Sequence, residues 1–305
     1  MSTVLEAAVL RTVAWFVTMG YPPLEEEVFV DLDMGAKSAP VSRDEFDAVM
    51  DGLVAVGRLR RISGRLVLPS AVSLIAERER RERFFPRKWA RIQRLGRWLR
   101  WVPTIRFLAV CNTTALGAAR DEADIDLFLV VRRGSLWLTR AVLLLWAAVL
   151  ARRPGQWRGE RDAWCFSFLI DDSDLCLEAF AERPDDPYFR FWVRHLLPIL
   201  DDGCGRALWE AQAWTRVRHP FARKWIAWRP LPDRAGTRSP ALAFLERWAF
   251  LIQRRFAPML LRQKAAEPTT DVVLSPHACK THADDHRTAF RLSYEALCRD
   301  LGVAP

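Results

Sequence analysis

Three neighbouring segments decide the fold of this chain: Ile105-Arg-Phe-Leu-Ala-Val110, the turn Cys111-Asn-Thr-Thr-Ala-Leu-Gly117, and Asp124-Ile-Asp-Leu-Phe-Leu-Val-Val131. The first and last segments are apolar and rich in branched and aromatic residues, which predicts two strands. Residues i and i+2 of a strand point to the same face. Asp124 and Asp126 should therefore project together, while Ile125 and Leu127 turn into the core.

Two carboxylates on one face repel each other unless a cation lies between them. Hard oxygen ligands of this kind suit Mg²⁺, which keeps several waters and completes its shell with substrate phosphates. Mn²⁺ takes the same ligand type. The pair therefore predicts a site for Mg²⁺ or Mn²⁺ in which Asp124 and Asp126 are both metal-binding and catalytic.

This pattern resembles the nucleotidyltransferase superfamily, whose fold is that of DNA polymerase beta. More closely, the chain resembles a bacterial group of predicted nucleotidyltransferases with an N-terminal winged-helix-like domain. Besides the segment around Asp124, the resembling stretches are Arg133-Gly-Ser-Leu-Trp-Leu-Thr-Arg140, Cys165-Phe-Ser-Phe168, Asp186-Pro-Tyr188, and a weaker echo at Lys280-Thr-His282 and Asp285.

The resemblance implies an α+β fold, with a mixed sheet and flanking helices preceded by a winged-helix-like domain and followed by a helical region. It also implies transfer of a nucleoside monophosphate from a nucleoside triphosphate to a hydroxyl group. The acceptor could be a nucleic acid, a protein or a small molecule. The residues implied to bind the nucleotide are Asn112, Thr113, Thr114 and Gly117.

Two positions depart from the family pattern. Asn112 stands where the family has a glycine, although Asn tolerates a left-handed backbone better than most residues. Many members also carry a third carboxylate on a later strand, here Ala163 to Ile170, with Trp164, Phe166, Phe168 and Ile170 expected on its apolar face. That strand contains no acid. Either Asp171, Asp172 or Asp174 bends back into the site, or the third carboxylate is absent.

If it is absent, the chain could instead be a catalytically degenerate relative that acts as a nucleotide sensor or interaction scaffold. The net charge of +9 leaves open a third interpretation, a regulator that binds nucleic acid. The six cysteines show no paired C-x-x-C spacing, and no signal peptide is evident at the start. Reduced thiols in a cytoplasm are therefore expected. Leu136 to Leu150 is apolar but too short to span a membrane comfortably, so we expect a core helix and no membrane insertion.

Residues 1–70 are predicted to form the winged-helix-like domain: helices over Val4 to Met19, Glu25 to Val30 and Ser42 to Val56, then a hairpin around Ser63-Gly64. Ser42 and Glu45 form a capping box. The last helix carries four acids and only Arg43. Because those acids would repel phosphates, this domain favours a structural or protein-contact role over binding DNA.

Residues 71–100 are predicted to be a basic connecting helix, with a fresh start at Pro86. Residues 77–100 hold ten basic and three acidic residues. Their arginines either pair locally or form a surface that faces an anion.

Residues 101–203 would be the catalytic core, in which Asp186 to Leu200 is a helix interrupted or ended by Pro198. Residues 204–305 should be mainly helical, with helices over Arg206 to Trp228 and Pro240 to Lys264, a short strand over Asp271 to Leu274, and a linker at 233–240. His282 and His286 could share a helix face near His277 and Cys279, a grouping that fits no zinc template we can identify.

Overall fold

A mixed sheet with helices on both faces organises the computed structural model of the chain, which describes residues 2–35, 41–150, 161–225, 227, 229–230, 240–267, 270–282 and 286–305. The mixed α and β composition agrees with the expected fold class. Residues 233–239 of the linker predicted at 233–240 lie outside the described residues, as does Asp285, and Pro240 already belongs to a helix.

The N-terminal unit contains the three predicted helices and the hairpin: α1 (Ser2–Thr18), α2 (Glu25–Val30), α3 (Arg43–Ala55), β1 (Arg60–Ile62) and β2 (Arg65–Val67). Ser42 caps α3, and both halves of the capping box with Glu45 are present. Ser63 and Gly64 have φ of 51° and 72°. Positive φ at both central residues is the geometry of a tight two-residue hairpin.

Two helices follow: α4 (Leu74–Glu82) and α5 (Phe85–Leu99), with Pro86 in the first turn of α5 as predicted. The apolar stripe of α5 packs on one face of the sheet through Ile92, Leu95 and Leu99. The carboxylate of Asp162 is fully buried against this helix. It contacts Arg87 at 2.9 Å, Lys88 at 2.8 Å and Arg91 at 3.0 Å. Three cations of the basic segment therefore pair with one acid that lies outside the segment.

The remaining elements in chain order are β3 (Ile105–Val110), α6 (Asn112–Ala115), β4 (Ile125–Val131), α7 (Leu136–Val149), β5 (Trp164–Asp171), α8 (Pro187–Arg194), β6 (Leu197–Asp201), α9 (Cys204–Ala211), β7 (Arg229–Pro230), α10 (Pro240–Arg255), α11 (Met259–Lys264), β8 (Val272–Leu274), β9 (Ala278–Thr281) and α12 (Arg287–Asp300). Within the described residues, the sheet has seven strands in the order β7-β6-β3-β4-β5-β9-β8. The central pair β4 and β5 is parallel, and β3 runs antiparallel to β4.

The two faces of the sheet carry different helices. Side chains of α5, α7 and α10 cover one face, where Ile125 and Leu127 are completely buried as the alternation predicted. Helices α8 and α9 cover the other face, which includes Phe128 and Val130. Asp126 is in the same alternation as Phe128, so it projects toward the α8 side.

An extra residue interrupts β5. Asp126 pairs with Cys165 and Phe128 pairs with Phe168, so two steps along β4 match three along β5. Such a bulge shifts the alternation by one residue. Trp164 and Phe166 consequently pack on the α7 face, whereas Phe168 and Ile170 pack on the α8 face. The expectation that these four residues share one face is wrong.

The C-terminal part is less helical than expected, because β7 and β9 join the central sheet as well as β8, which is the short strand predicted over Asp271 to Leu274. Helix α8 already ends at Arg194, and the segment with Pro198 is strand β6 rather than helix. Among the described residues of the predicted helix from Arg206 to Trp228, only α9 and a short 3₁₀ turn at Ala213–Arg216 are helical. Helix α12 contacts the N-terminal unit: Leu297 of α12 and Leu301, directly after it, pack on the hydrophobic core of that unit. None of the described helices is long and apolar enough to cross a membrane.

Candidate functional site

A cavity of about 230 Å³ opens on the α8 face of the sheet, next to the start of β4. Its wall combines one acid, one amide, five aromatic rings and four basic or imidazole side chains: Asn112, Asp126, Phe168, Tyr188, Phe189, Trp192, Lys280, His282, His286, Arg287 and Phe290. The wall therefore brings β4, β5, α8, β9 and α12 together around the predicted acidic pair.

The two predicted metal ligands lie together, as the strand alternation requires. One oxygen each of Asp124 and Asp126 and the sulfur of Cys165 are within 4.8 Å of one another. Cys165 belongs to β5 and is the direct partner of Asp126 across the parallel pair. The position next to the two acids is thus occupied by a thiol.

Asn112 lies directly over the acid pair. Its Nδ2 donates a hydrogen bond of 2.7 Å to Oδ2 of Asp126, and the hydroxyl of Tyr188 is 3.4 Å from its Oδ1. The backbone of Asn112 has a φ of 57°, in the left-handed region where a glycine is favoured. Asn112 therefore adopts a backbone conformation that favours glycine, and its amide occupies one oxygen of the carboxylate pair.

The other implied nucleotide-binding residues lie behind Asn112. Thr114 is buried at 2 % exposure, and Gly117 has a φ of 71°. A Cβ at Gly117 would contact the ring of Phe85 at 3.7 Å, so this glycine faces α5. The carbonyl of Thr113 accepts from the N–H of Ala118 at 2.9 Å. These three residues shape the turn, and only Asn112 of the four belongs to the cavity wall.

The acids at the far end of β5 are held elsewhere. Asp171 contacts His277 at 2.8 Å, Asp172 contacts Arg106 at 2.9 Å, and Asp174 accepts from the N–H of Cys176 at 2.9 Å. The idea that one of them bends back to the metal site is therefore wrong. Asp162, at the near end, is occupied by the cations of α5.

Burial raises the pKa of the Cys165 thiol, and the neighbouring charges of Asp126 and Asp124 raise it further. The pKa of Cys111, one residue before Asn112, is raised for the same reasons. Both thiols are therefore protonated at neutral pH. A neutral thiol adds no negative charge to the pair and is a soft donor, whereas Mg²⁺ prefers charged oxygen.

Two basic residues of the cavity wall, Lys280 and Arg287, also hold neighbouring elements of the fold together. The Nζ of Lys280 donates to the carbonyl of Thr270 at 2.6 Å and lies 5.5 Å from the ring centre of Phe189. Arg287 is buried between Asp186 at 2.9 Å and Asp271 at 2.8 Å. These pairs fix β9 and the start of α12 against α8, and so they fix the shape of the cavity.

The two histidines of the wall come from the segment ahead of α12 rather than from a shared helix face. His282 Nε2 is 3.1 Å from the hydroxyl of Ser167, and His286 lies at the residue that precedes α12. Cys279 of the same sequence grouping is completely buried in the core on the α7 face. Besides Asn112 and Asp126, the sequence signals for this wall were the weak echo at Lys280 and His282 and the resembling stretches that contain Phe168 and Tyr188. Trp192 and Phe290 gave none.

Comparison of the chain with models of protein families, with curated proteins and with solved structures gives no match.

Proposed function

We propose that the chain is a metal-dependent nucleotidyltransferase that moves a nucleoside monophosphate from a nucleoside triphosphate to a hydroxyl acceptor. The proposal includes the finer fold assignment, a nucleotidyltransferase core preceded by a winged-helix-like domain. One observation carries it: Asp124, directly before β4, lies together with Asp126 of β4, and Asp126 lines a cavity whose wall also holds Lys280, His282, His286 and Arg287. Acidic and basic side chains around one cavity suit a cation and the phosphates that it binds.

Two residues, Asp124 and Asp126, supply the kind of oxygen ligand that Mg²⁺ or Mn²⁺ takes. Asp124 and Asp126 offer charged oxygens within 4.8 Å of each other, and Asn112 already places a hydrogen-bond donor on Asp126. When bound, the cation would neutralise charge on the triphosphate. The two aspartates would hold it, with the phosphates and water supplying the remaining oxygens.

The roles of the other residues follow from their positions. The amide of Asn112 would turn from Asp126 to a phosphate oxygen, which its left-handed backbone brings close to the turn. His282 and His286 would donate to phosphate from the opposite wall. The rings of Phe189, Trp192 and Tyr188 offer an apolar surface on which a base can stack.

Cys165 favours a second candidate, a catalytically degenerate relative that binds the nucleotide as a sensor or scaffold. In this reading the protonated thiol stands where a third carboxylate would help hold the cation and remove the acceptor proton. Neutral sulfur does neither. The two candidates share nucleotide binding and differ in pyrophosphate release.

Calorimetry with each of the four nucleoside triphosphates in Mg²⁺ or Mn²⁺, followed by a pyrophosphate-release assay, tests both candidates. Asp124→Asn and Asp126→Asn should each weaken binding at least tenfold, while Asp174→Asn, an acid at the far end of β5, should leave it unchanged. Metal-dependent pyrophosphate release by the unaltered chain selects the enzyme. Binding without release, with release appearing in Cys165→Asp, selects the degenerate protein. If no nucleotide binds under any condition, both candidates fail.

A further inference from the structure

Helix α10 and the following α11 expose an apolar surface to solvent. Phe244 is 62 % exposed, Trp248 50 % and Phe256 78 %. The same two helices expose further large apolar side chains, namely Leu242, Leu245, Leu251, Ile252, Met259 and Leu260. Isolated exposed apolar residues are ordinary in proteins, but a contiguous group of this size marks an interaction surface.

The spacing shows that this surface is the outward side of α10. Glu246, Phe250 and Gln253 recur at i, i+4 and i+7 and face the body of the protein, where Phe250 packs on Trp137 with ring centres 5.2 Å apart. Phe244, Trp248 and Leu251 have the same spacing, shifted by two residues, which is about 200° around a helix. The helix is thus apolar on the side turned away from the core.

Polar contacts hold α10 in this orientation. The carboxylate of Glu246 accepts from the N–H groups of Trp137 at 2.7 Å and Leu138 at 2.8 Å, at the start of α7. Gln253 accepts from Arg140 at 2.8 Å and donates to the carbonyl of Trp137 at 2.7 Å. Rotation that buried Trp248 and Phe256 would break these bonds, so the exposed face is built into the packing.

The ionisable side chains exposed on α10 and α11 are all basic. Arg247, Arg254, Arg255 and Arg262 are exposed, whereas the single acid of these helices, Glu246, is 8 % exposed and belongs to the inner contact. Basic residues around an apolar centre match a surface that is negatively charged outside and apolar beneath.

We propose that α10 and α11 bind the surface of an anionic phospholipid membrane. Trp248, Phe244 and Phe256 would enter the boundary between headgroups and acyl chains, and the arginines would contact lipid phosphates. A second copy of this chain would bring like charges together across the contact. A nucleic acid would meet aliphatic residues at the centre of the face instead of cations. Neither matches the surface as well as a lipid bilayer does.

Neighbouring α7 has the same character on a smaller scale. It packs against α10 and exposes Val142, Leu145 and Val149, which recur at i, i+3 and i+7. Its other side is core, with Leu143 and Ala147 completely buried. The apolar run that the sequence suggested as a core helix is therefore core on one side only.

Co-sedimentation of the full chain with vesicles tests the proposal. We expect binding to vesicles of phosphatidylglycerol and phosphatidylcholine in equal parts, weaker binding at high salt, and little binding to pure phosphatidylcholine. The double variant Trp248→Ser with Phe256→Ser should lose at least tenfold in partitioning. Arg254→Gln with Arg255→Gln should lose about fivefold for each arginine removed, since each basic residue near an anionic surface contributes about 1 kcal/mol.

Matched controls are available elsewhere on the surface. Val56→Ser with Val217→Ser removes two apolar side chains that are 71 % and 68 % exposed, and Arg60→Gln with Arg299→Gln removes two exposed cations. Both control pairs should bind vesicles like the unaltered chain. Circular dichroism establishes that every variant is folded.

Three outcomes would overturn the proposal: no binding to anionic vesicles, equal loss in the control variants, or a dimer in sedimentation velocity that Trp248→Ser with Phe256→Ser dissociates. The last would assign the face to a second copy. Because vesicle binding is read without nucleotide, its failure and the failure of the proposed function are separate results.

Discussion

Two clusters of carboxylates in this protein differ in what surrounds them. At the junction between the N-terminal unit and α8, Asp31 is 5 % exposed and contacts His195 at 2.7 Å and Arg194 at 3.2 Å. In the cavity, Asp126 contacts the uncharged amide of Asn112 at 2.7 Å and lies beside the thiol of Cys165 and a second acid. Asp31 thus contacts a guanidinium and an imidazole, whereas Asp126 contacts an amide and lies beside a thiol and a second carboxylate.

Under the proposed function, the contrast separates an acid that stabilises the fold from acids that bind a cation. Burial alone raises the pKa of Asp31, but His195, a hydrogen bond to it and Arg194 together hold that pKa well below its usual value. Folding therefore stabilises the ionised Asp31. Neither Asn112 nor Cys165 brings a positive charge to the pair in the cavity, and under the proposed function a bound cation would supply it.

The largest expected effect is on the free energy of unfolding, compared between single variants that each lack one acid of one cluster. Asp31→Ala leaves the buried guanidinium of Arg194 without its carboxylate and should lower the free energy of unfolding by about 3–5 kcal/mol. Asp126→Ala removes a hydrogen bond but also relieves repulsion from Asp124, so it should change that free energy by no more than about 1 kcal/mol. Urea denaturation measures both.

Asp51→Ala serves as the control, because Asp51 has a 67 % exposed side chain and pairs with Arg61 on the surface. Its effect should also be below about 1 kcal/mol. Equal destabilisation by Asp31→Ala and Asp126→Ala would remove the distinction between the two clusters.

An effect of intermediate size is expected on stability when the pH is lowered, through His219 at the junction between the N-terminal unit and α8. Burial and the charge of Arg194 lower the pKa of His219 to about 3, despite opposing contributions from Asp33 and Asp31. Below pH 6.5, His219 is therefore protonated in the unfolded chain but stays neutral in the folded chain. The free energy of unfolding consequently falls as the pH falls. Between pH 7 and pH 5.5 the loss from this group should be about 1 kcal/mol.

Thermal or urea unfolding across this pH range measures the loss. His219→Gln keeps a hydrogen-bond donor near the carbonyl of Asp31, which His219 Nδ1 approaches to 2.8 Å, and should remove this part of the pH dependence. A slope that is the same in His219→Gln and in the unaltered chain would assign it to other groups.

The smallest expected effect is a change in the reactivity of Cys165. Because the charges of Asp126 and Asp124 add to burial in raising the pKa of its thiol, Asp126→Asn should lower that pKa and increase the thiolate fraction. Alkylation by iodoacetamide at pH 8, followed by mass spectrometry, should then proceed several-fold faster at Cys165. Cys176, on a different part of the surface, provides the internal reference. No change in the ratio of the two rates would show that the acid pair does not act on this thiol.

Local signals explain which parts of the structure could be predicted. Ser42 with Glu45, Pro86 and the Ser63-Gly64 turn each determine backbone geometry within a few residues, and each lies where the sequence placed it. The alternation around Asp126 likewise determines which residues of β4 face the core. These features depend on neighbours in the chain, so a single sequence contains them.

The parts that could not be predicted depend on partners far away in the sequence. The bulge of β5 lies between Cys165 and Phe168 and is defined by the pairing with β4, about 40 residues earlier in the chain. Pro198 lies in a strand because β3 pairs with that segment, although its local pattern favoured a helix. The cavity wall needs α8, β9 and α12 together, and no pattern within any of them indicates the others.

Helix α12 has 14 residues, a length of about 21 Å at 1.5 Å per residue. One end presents Phe290 to the cavity, where its ring stacks on Tyr188 at 5.2 Å, and further along Tyr294 meets Trp15 of α1 at the same separation. A regular helix transmits displacement along its axis with little bending. The cavity wall and the contact with α1 therefore share one helix, so a displacement of α12 would move both.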